Sequence, residues 1–323
     1  MPRKCQWVSE TLVPQLREGR SGTNPPPPHS LSELHIVTLF TPGLCGLLAC
    51  WQQRLLALHS GLLGIGGVSV RFHIGWHAMN VSTAPRFKDP AWIEAVRERI
   101  DFLRRVLKRF EHRSERDLFL FTDLDVWPLR PLAPLLRPLQ HALRAAALQR
   151  ERNETATAPR PLEIMFMREP PGHCGMSAWV ANTGLMVMRN TLAVRFLLYA
   201  CYTTRGKGVF EQDVANWLLL KQMRPQDLSW GLIDSNLVTA SLDEIGAETV
   251  AFHAVGVIGT RQKAEVLERA LEKLSSRTTG VDAIALGAPG PDPASGWCAN
   301  RTRVRVPSSW RDGANVPSEL VCS

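Results

Sequence analysis

Cysteine is scarce in this 323-residue chain: there are seven, an odd number, and none form a CxxC pair. That excludes a disulfide-knotted module and a zinc ribbon. The composition also excludes collagen and coiled coil, and no stretch repeats internally. No compact apolar run follows the basic start at Arg3 and Lys4, so a cleavable signal peptide is not expected. Gly61, Gly64, Gly66 and Gly67 break up an uncharged stretch without fitting GxGxxG, which argues against a dinucleotide fingerprint. There is no Arg-rich block and no nucleic-acid module, because the basic residues are interleaved with acids. Long hydrophobic runs are also lacking. Leu34 to Gln53 carries no Asp, Glu, Lys or Arg and has the length of a membrane span. Pro42-Gly43 and Gly46 interrupt it, so a buried strand, a glycine turn and a helix read better.

What is present is a large apolar fraction, 45% of residues against 21% charged, enough for a sizeable core. The formal charge is +8, which favours acidic partners such as phosphates without choosing among them. Residues 1–33 contain the proline run Pro25 to Pro28 and are expected to form a disordered tail. Residues 276–323, rich in Gly, Pro, Ser and Ala, are expected to be loosely ordered.

Between these tails, strands are predicted at Leu34–Phe40, Val68–Ile74, Leu118–Phe121, Glu163–Arg168 and Gly184–Met188. Asp89-Pro90 reads as a helix start, with an N-cap carboxylate followed by proline at the first helical position. Trp92, Val96, Ile100, Leu103, Leu107 and Phe110 continue it as one apolar stripe, opposite Arg97, Arg104, Arg105, Lys108 and Arg109. Further helices are predicted at Leu192–Tyr202, Glu211–Met223 and Gln262–Leu274. This alternation implies an α/β/α sandwich with a largely parallel sheet, in which ligands bind beyond the carboxyl ends of the strands.

Just beyond the central strand stands Thr122-Asp123-Leu124-Asp125. Residues two apart in extended backbone point the same way, so Asp123 and Asp125 would present two carboxylates together. They repel unless a proton or cation lies between them. Oxygen ligands at this spacing suit Mg²⁺ or Mn²⁺, which bridge carboxylates to substrate phosphates. An exposed turn with two ordinary aspartates is the plainer reading, but the position at a buried strand end favours a site.

FLFTDLDVWPLRPL resembles the DxD region of nucleotide-diphospho-sugar transferases with the GT-A fold. Within that group it is similar to the family of plant and algal cell-wall xylosyl- and arabinosyltransferases. HIVTLF, DPAWIEAVRERIDFLRRVL, WVANTGLMVMRNT, VFEQDVANWLL and FHAVGVIGTRQKAEVLERAL resemble further segments of that family in the same order. The resemblance covers roughly residues 34–275. It implies a single GT-A-like domain of the Rossmann-type α/β/α class.

It also implies roles. Asp125 and Asp123 would hold Mn²⁺ or Mg²⁺ with His253 as a third ligand, and Asp123 would also contact the nucleotide sugar. Lys263 would face the diphosphate, although it equally reads as part of a solvated helix face. Arg99 would lie near the nucleotide, with a surface salt bridge as the alternative. Thr38 would contact uracil or ribose. Asn182, Thr183 and Gly184 would floor the sugar, though they also read as turn formers. Gln212 and Asp213 would stand at the reacting carbon. The family reads Asp-Gln where this chain has Glu211-Gln212-Asp213, so Glu211 competes with Asp213, and acids in a first helical turn also complement the helix dipole. Trp127 and Trp179 would stack on sugar or base, or pack in the core.

The activity implied is metal-dependent transfer of a sugar from a nucleotide-diphosphate donor, with a UDP-sugar expected, to a hydroxyl of a glycan or glycoprotein. Nucleic acid is not an expected partner. Such enzymes usually work in the Golgi lumen behind an N-terminal anchor. None is recognised before Leu34, so membrane association would run through an anchor missing from or unrecognised in this sequence. Rival readings are a haloacid-dehalogenase-type phosphatase with Asp123 as nucleophile, and a non-catalytic basic protein that binds glycan or nucleic acid. A Cys174 nucleophile beside His173 lacks an orienting acid. The sequons at Asn80, Asn153 and Asn300 matter only in the secretory pathway.

Overall fold

The structure is a computed structural model. It describes residues 6–13, 33–40, 47–48, 51, 55, 58, 69–77, 89–112, 117–151, 160–170, 180–204, 209–224, 226–257 and 260–277. Trp179, His173, Cys174, the three sequons and the C-terminal segment from 278 lie outside the described residues.

A seven-stranded sheet forms the centre, in the order β1-β3-β2-β4-β7-β6-β8. Its strands are β1 (Gln6–Val13), β2 (Glu33–Phe40), β3 (Ser69–Trp76), β4 (Leu118–Thr122), β6 (Ile164–Arg168), β7 (Ala181–Arg189) and β8 (Trp230–Leu232). Strands β3, β2, β4, β6 and β8 run in one direction, whereas β1 and β7 run against their neighbours. The sheet is therefore mixed, and the largely parallel expectation holds for five of the seven strands. A small second sheet joins β5 (Val126–Pro128), β10 (Ala251–His253) and β9 (Val238–Thr239) in the order β5-β10-β9.

Strand alternation sends successive side chains to opposite faces, and β2 shows this directly. Leu34, Ile36 and Phe40 enter one core, with Val37 and Leu39 in the other. The first core is closed by α2 (Ala133–Glu151) and α5 (Thr260–Arg277). Leu47, Leu48 and Trp51 are helical and buried there, as expected of a helix following a glycine turn, whereas Leu55 and Leu58, expected in a loop, are helical and buried too. The second core lies under α1 (Pro90–Arg109), α3 (Leu192–Thr203) and α4 (Glu211–Trp217). The result is the expected three-layer sandwich. No helix among the described residues is long and apolar enough to cross a membrane.

Helix α1 buries Ile93, Val96, Ile100, Phe102, Leu103, Val106 and Leu107: the predicted stripe gains Phe102 and Val106, and Ile93 is buried where half-buried Trp92 was expected. Asp89 is its N-cap residue, but the side chain makes no capping hydrogen bond. Proline directly after the cap already removes one orphan donor of the first turn. On the polar face, the Arg104 guanidinium lies 4.9 Å and 4.8 Å from the ring centroids of Tyr199 and Tyr202 on α3. That locks the two helices together. Helix α4 continues into a π-helical turn, Leu218–Gln222.

Two features depart from expectation. Gln6–Val13 lies within the segment expected to be a disordered tail, yet it pairs antiparallel with β3 as an edge strand. Its period-two pattern QWVSETLV is short enough to pass as loop until a partner strand is known. Helix α2 was not predicted because Pro131, Pro134 and Pro138 punctuate its sequence. Burial of Leu135, Leu136, Leu139 and Leu143 overrides that local signal.

Leu103 is fully buried under α1. Leu103→Ala is expected to cost about 2–5 kcal/mol in chemical denaturation, whereas Arg137→Ala, exposed on α2, changes stability by no more than about 0.5 kcal/mol.

Candidate active site

The carboxyl ends of β2, β4 and β6 lie on the same side of the sheet as the beginning of the reversed strand β7. Candidate residues from five elements gather there. Thr122 of β4 pairs with Leu185 of β7, and the Asp123 amide donates to the Gly184 carbonyl at 2.8 Å. Asp123 and Gly184 therefore face each other across the strand ends. The Val126 amide then bonds the Asp123 carbonyl at 3.1 Å, turning the chain into β5. Strand β10 runs antiparallel to β5 with His253 opposite Val126, and the Ala254 amide bonds the Asp125 carbonyl at 2.9 Å. The second sheet thus delivers His253 to the acidic pair.

Asp123, Asp125 and His253 place one ligand atom each within 4.8 Å of one another. His253 Nε2 lies 3.4 Å from Asp125 Oδ1, and its Nδ1 faces Met167 Sδ at 3.3 Å. The ring is thus held between Asp125 and Met167. A Cβ added at Gly184 would sit 2.7 Å from His253 Cε1 and 3.1 Å from Asp123 Oδ2, so only glycine leaves the imidazole its place. Two carboxylates and one imidazole form a donor set suited to a hard or borderline divalent cation.

Two basic side chains attend the acids. Arg99 of α1 donates to both Asp123 and Glu211, and its Nη2 also approaches Thr183 Oγ1 at 3.3 Å. Its guanidinium carbon lies 5.5 Å from the Phe121 ring centroid. Lys263 of α5 donates to Asp125. Burial opposes ionisation of Asp125, but Lys263 and His253 outweigh it and hold this carboxyl below the usual range. For Asp123 burial wins, pushing the carboxyl up against the opposing pull of Arg99. Burial would lower the Arg99 pKa, but Asp123 and Glu211 keep it above its ordinary value. The pair is thus split: Asp125 is the firmer anion and Asp123 the weaker one.

Beneath the pair lies a hydrogen-bonded floor. Asn182 Oδ1 accepts from the Gly184 amide at 2.8 Å, and its Nδ2 donates to Glu169 Oε2 at 2.7 Å. Gln212 Nε2 donates to the same Glu169 oxygen at 2.9 Å, and its Oε1 accepts from the Thr183 amide at 3.2 Å. Thr183 Oγ1 donates to Glu211 Oε1 at 2.9 Å. Asn216 ties α4 to β7, accepting from the Val180 and Ala181 amides and donating to the Ala181 carbonyl at 2.8–3.0 Å. Sequence reasoning missed Glu169 and Asn216. The available signal for Glu169 was an acid directly after the apolar strand IMFMR and before Pro170.

The remaining candidates divide. Glu211 is buried, its Oε2 has no hydrogen-bond partner among the described residues, and burial raises its pKa. Asp213, chosen over it from the sequence, instead accepts from the Phe210 amide at 3.2 Å and closes the first turn of α4. Trp127 is buried and donates to the Leu124 carbonyl at 3.1 Å, so it packs the core and does not present a stacking face. Thr38 is fully buried in β2, and its hydroxyl has no partner among the described residues.

No protein-family model and no curated protein matches the chain by sequence. Among solved structures it is similar to a glycosyltransferase involved in glycosylation of the major capsid of PBCV-1. The identity is 11% and the TM-score 0.41, over 74% of this chain and 98% of that one. It is also similar to the galactosyltransferase LgtC in complex with donor and acceptor sugar analogues, at 13% identity and TM-score 0.38, over 79% of this chain and 100% of that one. A third is the glycosyltransferase GlyE of Streptococcus pneumoniae TIGR4, at 10% identity and TM-score 0.38, over 79% of this chain and 62% of that one.

Glu169 satisfies two buried amides through one oxygen. Glu169→Ala leaves both donors unpaired and is expected to cost about 1–3 kcal/mol in urea denaturation, with Glu169→Gln costing less because an acceptor remains.

Proposed function

We propose that this chain is a metal-dependent glycosyltransferase taking a nucleotide-diphosphate sugar, with UDP as the nucleotide. One observation carries the reading: Asp123, Asp125 and His253 converge with Lys263 and Arg99 at the carboxyl ends of parallel strands. Paired acids alone would repel a diphosphate. The same acids with an imidazole, a lysine and space for a cation form a site where that anion is attracted. The order of motifs resembling nucleotide-diphospho-sugar transferases supports the same conclusion.

Asp125, Asp123 and His253 would hold Mn²⁺ or Mg²⁺, which supplies Lewis acidity and neutralises charge on the diphosphate. Lys263 already reaches this cluster from α5, and its ammonium adds stabilisation as negative charge collects on the departing group. Arg99 has a positioning role, holding Asp123 against Glu211 and Thr183. Asn182, Thr183 and Gly184 form the floor under the transferred sugar, made rigid by Glu169 and Gln212. Glu211, whose buried Oε2 has no partner among the described residues, takes the place at the reacting centre expected of Asp213. Thr38, the expected nucleoside contact, is fully buried and receives no role here. In the transfer the bond from the anomeric carbon to the diphosphate breaks and one to the acceptor oxygen forms. The acceptor's hydroxyl proton leaves with the released nucleoside diphosphate.

The test is UDP release from a panel of UDP-sugars with Mn²⁺, with and without a hydroxylic acceptor. Wild type should release UDP, and Asp125→Asn should lose about 10²–10³-fold in rate. Equal rates in wild type and Asp125→Asn overturn the assignment. So does hydrolysis of an aryl phosphate that Asp123→Asn abolishes, since that would make Asp123 a phosphatase nucleophile.

A further inference from the structure

At the opposite end of β4 and β2 lies a second group of ionisable side chains that the transfer reaction does not use. Glu33 and His35 begin β2, and Asp117 immediately precedes β4. All three are buried, with His35 fully inaccessible. One ligand atom from each falls within 4.8 Å of the others.

His35 holds the key geometry. Its Nδ1 shares a hydrogen bond with His73 Nε2 at 2.9 Å. Its Nε2 lies 3.6 Å from Glu33 Oε2 and 3.7 Å from Asp117 Oδ2. Both distances exceed a hydrogen bond, and Nε2 has no hydrogen-bond partner among the described residues. They do match the separation of two ligands on one tetrahedral ion, which for Zn–N and Zn–O bonds of about 2.1 Å is about 3.4 Å.

The surroundings fix that nitrogen. The imidazole stacks on Phe119, with centroids 4.3 Å apart and planes 11° apart, and tilts against Phe110 at 4.5 Å. Arg71 takes the other Glu33 oxygen, Oε1, at 2.6 Å, leaving Oε2 toward His35. The His73 ring also lies parallel to the imidazole, with centroids 5.1 Å apart and planes 10° apart, and holds its Nδ1 side. With Nδ1 engaged by His73, Nε2 is the nitrogen that faces the two carboxylates. A ligating histidine oriented by a hydrogen bond from its second nitrogen is the usual arrangement at a protein metal site.

We propose that Glu33, His35 and Asp117 form a second, structural site for a divalent transition metal, with Zn²⁺ as the best fit. One nitrogen and two carboxylate oxygens suit it, and the buried setting favours a permanent ion over an exchanging one. Bound there, the ion ties the start of β2 to the start of β4, with β3 joined through His73.

The test uses the full chain carrying Asp123→Asn and Asp125→Asn, which removes two ligands of the other cluster. After stripping with a chelator it is titrated with Zn²⁺ against a chromophoric competitor, and with Co²⁺ for visible absorption. The expectation is about one equivalent bound, intense Co²⁺ bands of a four-coordinate site, and a raised thermal midpoint with Zn²⁺. Adding His35→Gln or Asp117→Asn should weaken Zn²⁺ binding by about tenfold or more. Less than about a tenth of an equivalent in the double variant overturns the proposal. So does Zn²⁺ affinity unchanged by both ligand substitutions. The Co²⁺ spectrum needs neither substitution, so it still decides the matter if those variants do not fold: an octahedral spectrum, or none, refutes the site.

Discussion

Two carboxylates at the end of one buried strand repel each other, and the organisation of this molecule around Asp123 and Asp125 follows from relieving that repulsion. Arg99 relieves one from α1, while Lys263 and His253 relieve the other from α5 and β10. These partners come from both layers of the sandwich and from the small sheet, so the charge constraint is met only when the whole domain has assembled. A buried pair that loses one partner leaves an uncompensated charge, which costs far more than the pair itself gains. The site and the fold are therefore coupled: neither Arg99 nor Lys263 can be regarded as an ordinary surface ion pair.

The reversed strand β7 is the second determinant. Had it run parallel, its start would lie at the far end of the sheet. Running antiparallel between β4 and β6, it brings Asn182, Thr183 and Gly184 beside the ends of both. Gly184 then occupies the one position where a side chain would collide with His253. Helix α4 begins over this floor, and its first two side chains, Glu211 and Gln212, are buried against it. The carboxylate at the third position, Asp213, turns back to the helix's own start.

Much of this was legible because its signals are local. The period of α1, the buried run before Asp123 and the acid–x–acid spacing are each visible in a dozen residues, and the order of motifs linked them. What escaped depended on distant partners. Glu169 looks like any acid before a proline until Asn182 and Gln212 are brought to it. The choice between Glu211 and Asp213 turns on about 100° of helix rotation per residue, which no spacing argument fixes when the helix start is uncertain by one position. Helix α2 was hidden by its prolines and β1 by its place in a segment read as a tail. In both cases packing or pairing with an element far off in sequence outweighs local preference.

The two His–carboxylate clusters show how one sheet can use the same donor chemistry for opposite ends. At the carboxyl ends of the strands, the acids are half-buried and a mobile lysine reaches one of them. Glycine keeps the imbalance of charge open to an incoming anion. At the other end, Glu33 and Asp117 are buried, the imidazole is clamped between aromatic rings, and the attendant cation is the planar guanidinium of Arg71 on an adjacent strand. On the proposed reading, a ligand set of the first kind admits and releases substrate with its ion while Lys263 compensates the charge. On the same reading, a cation in the second set would be held permanently, because that set is shut away from solvent. Burial and the identity of the neighbouring base, more than the ligand types themselves, thus distinguish the two clusters.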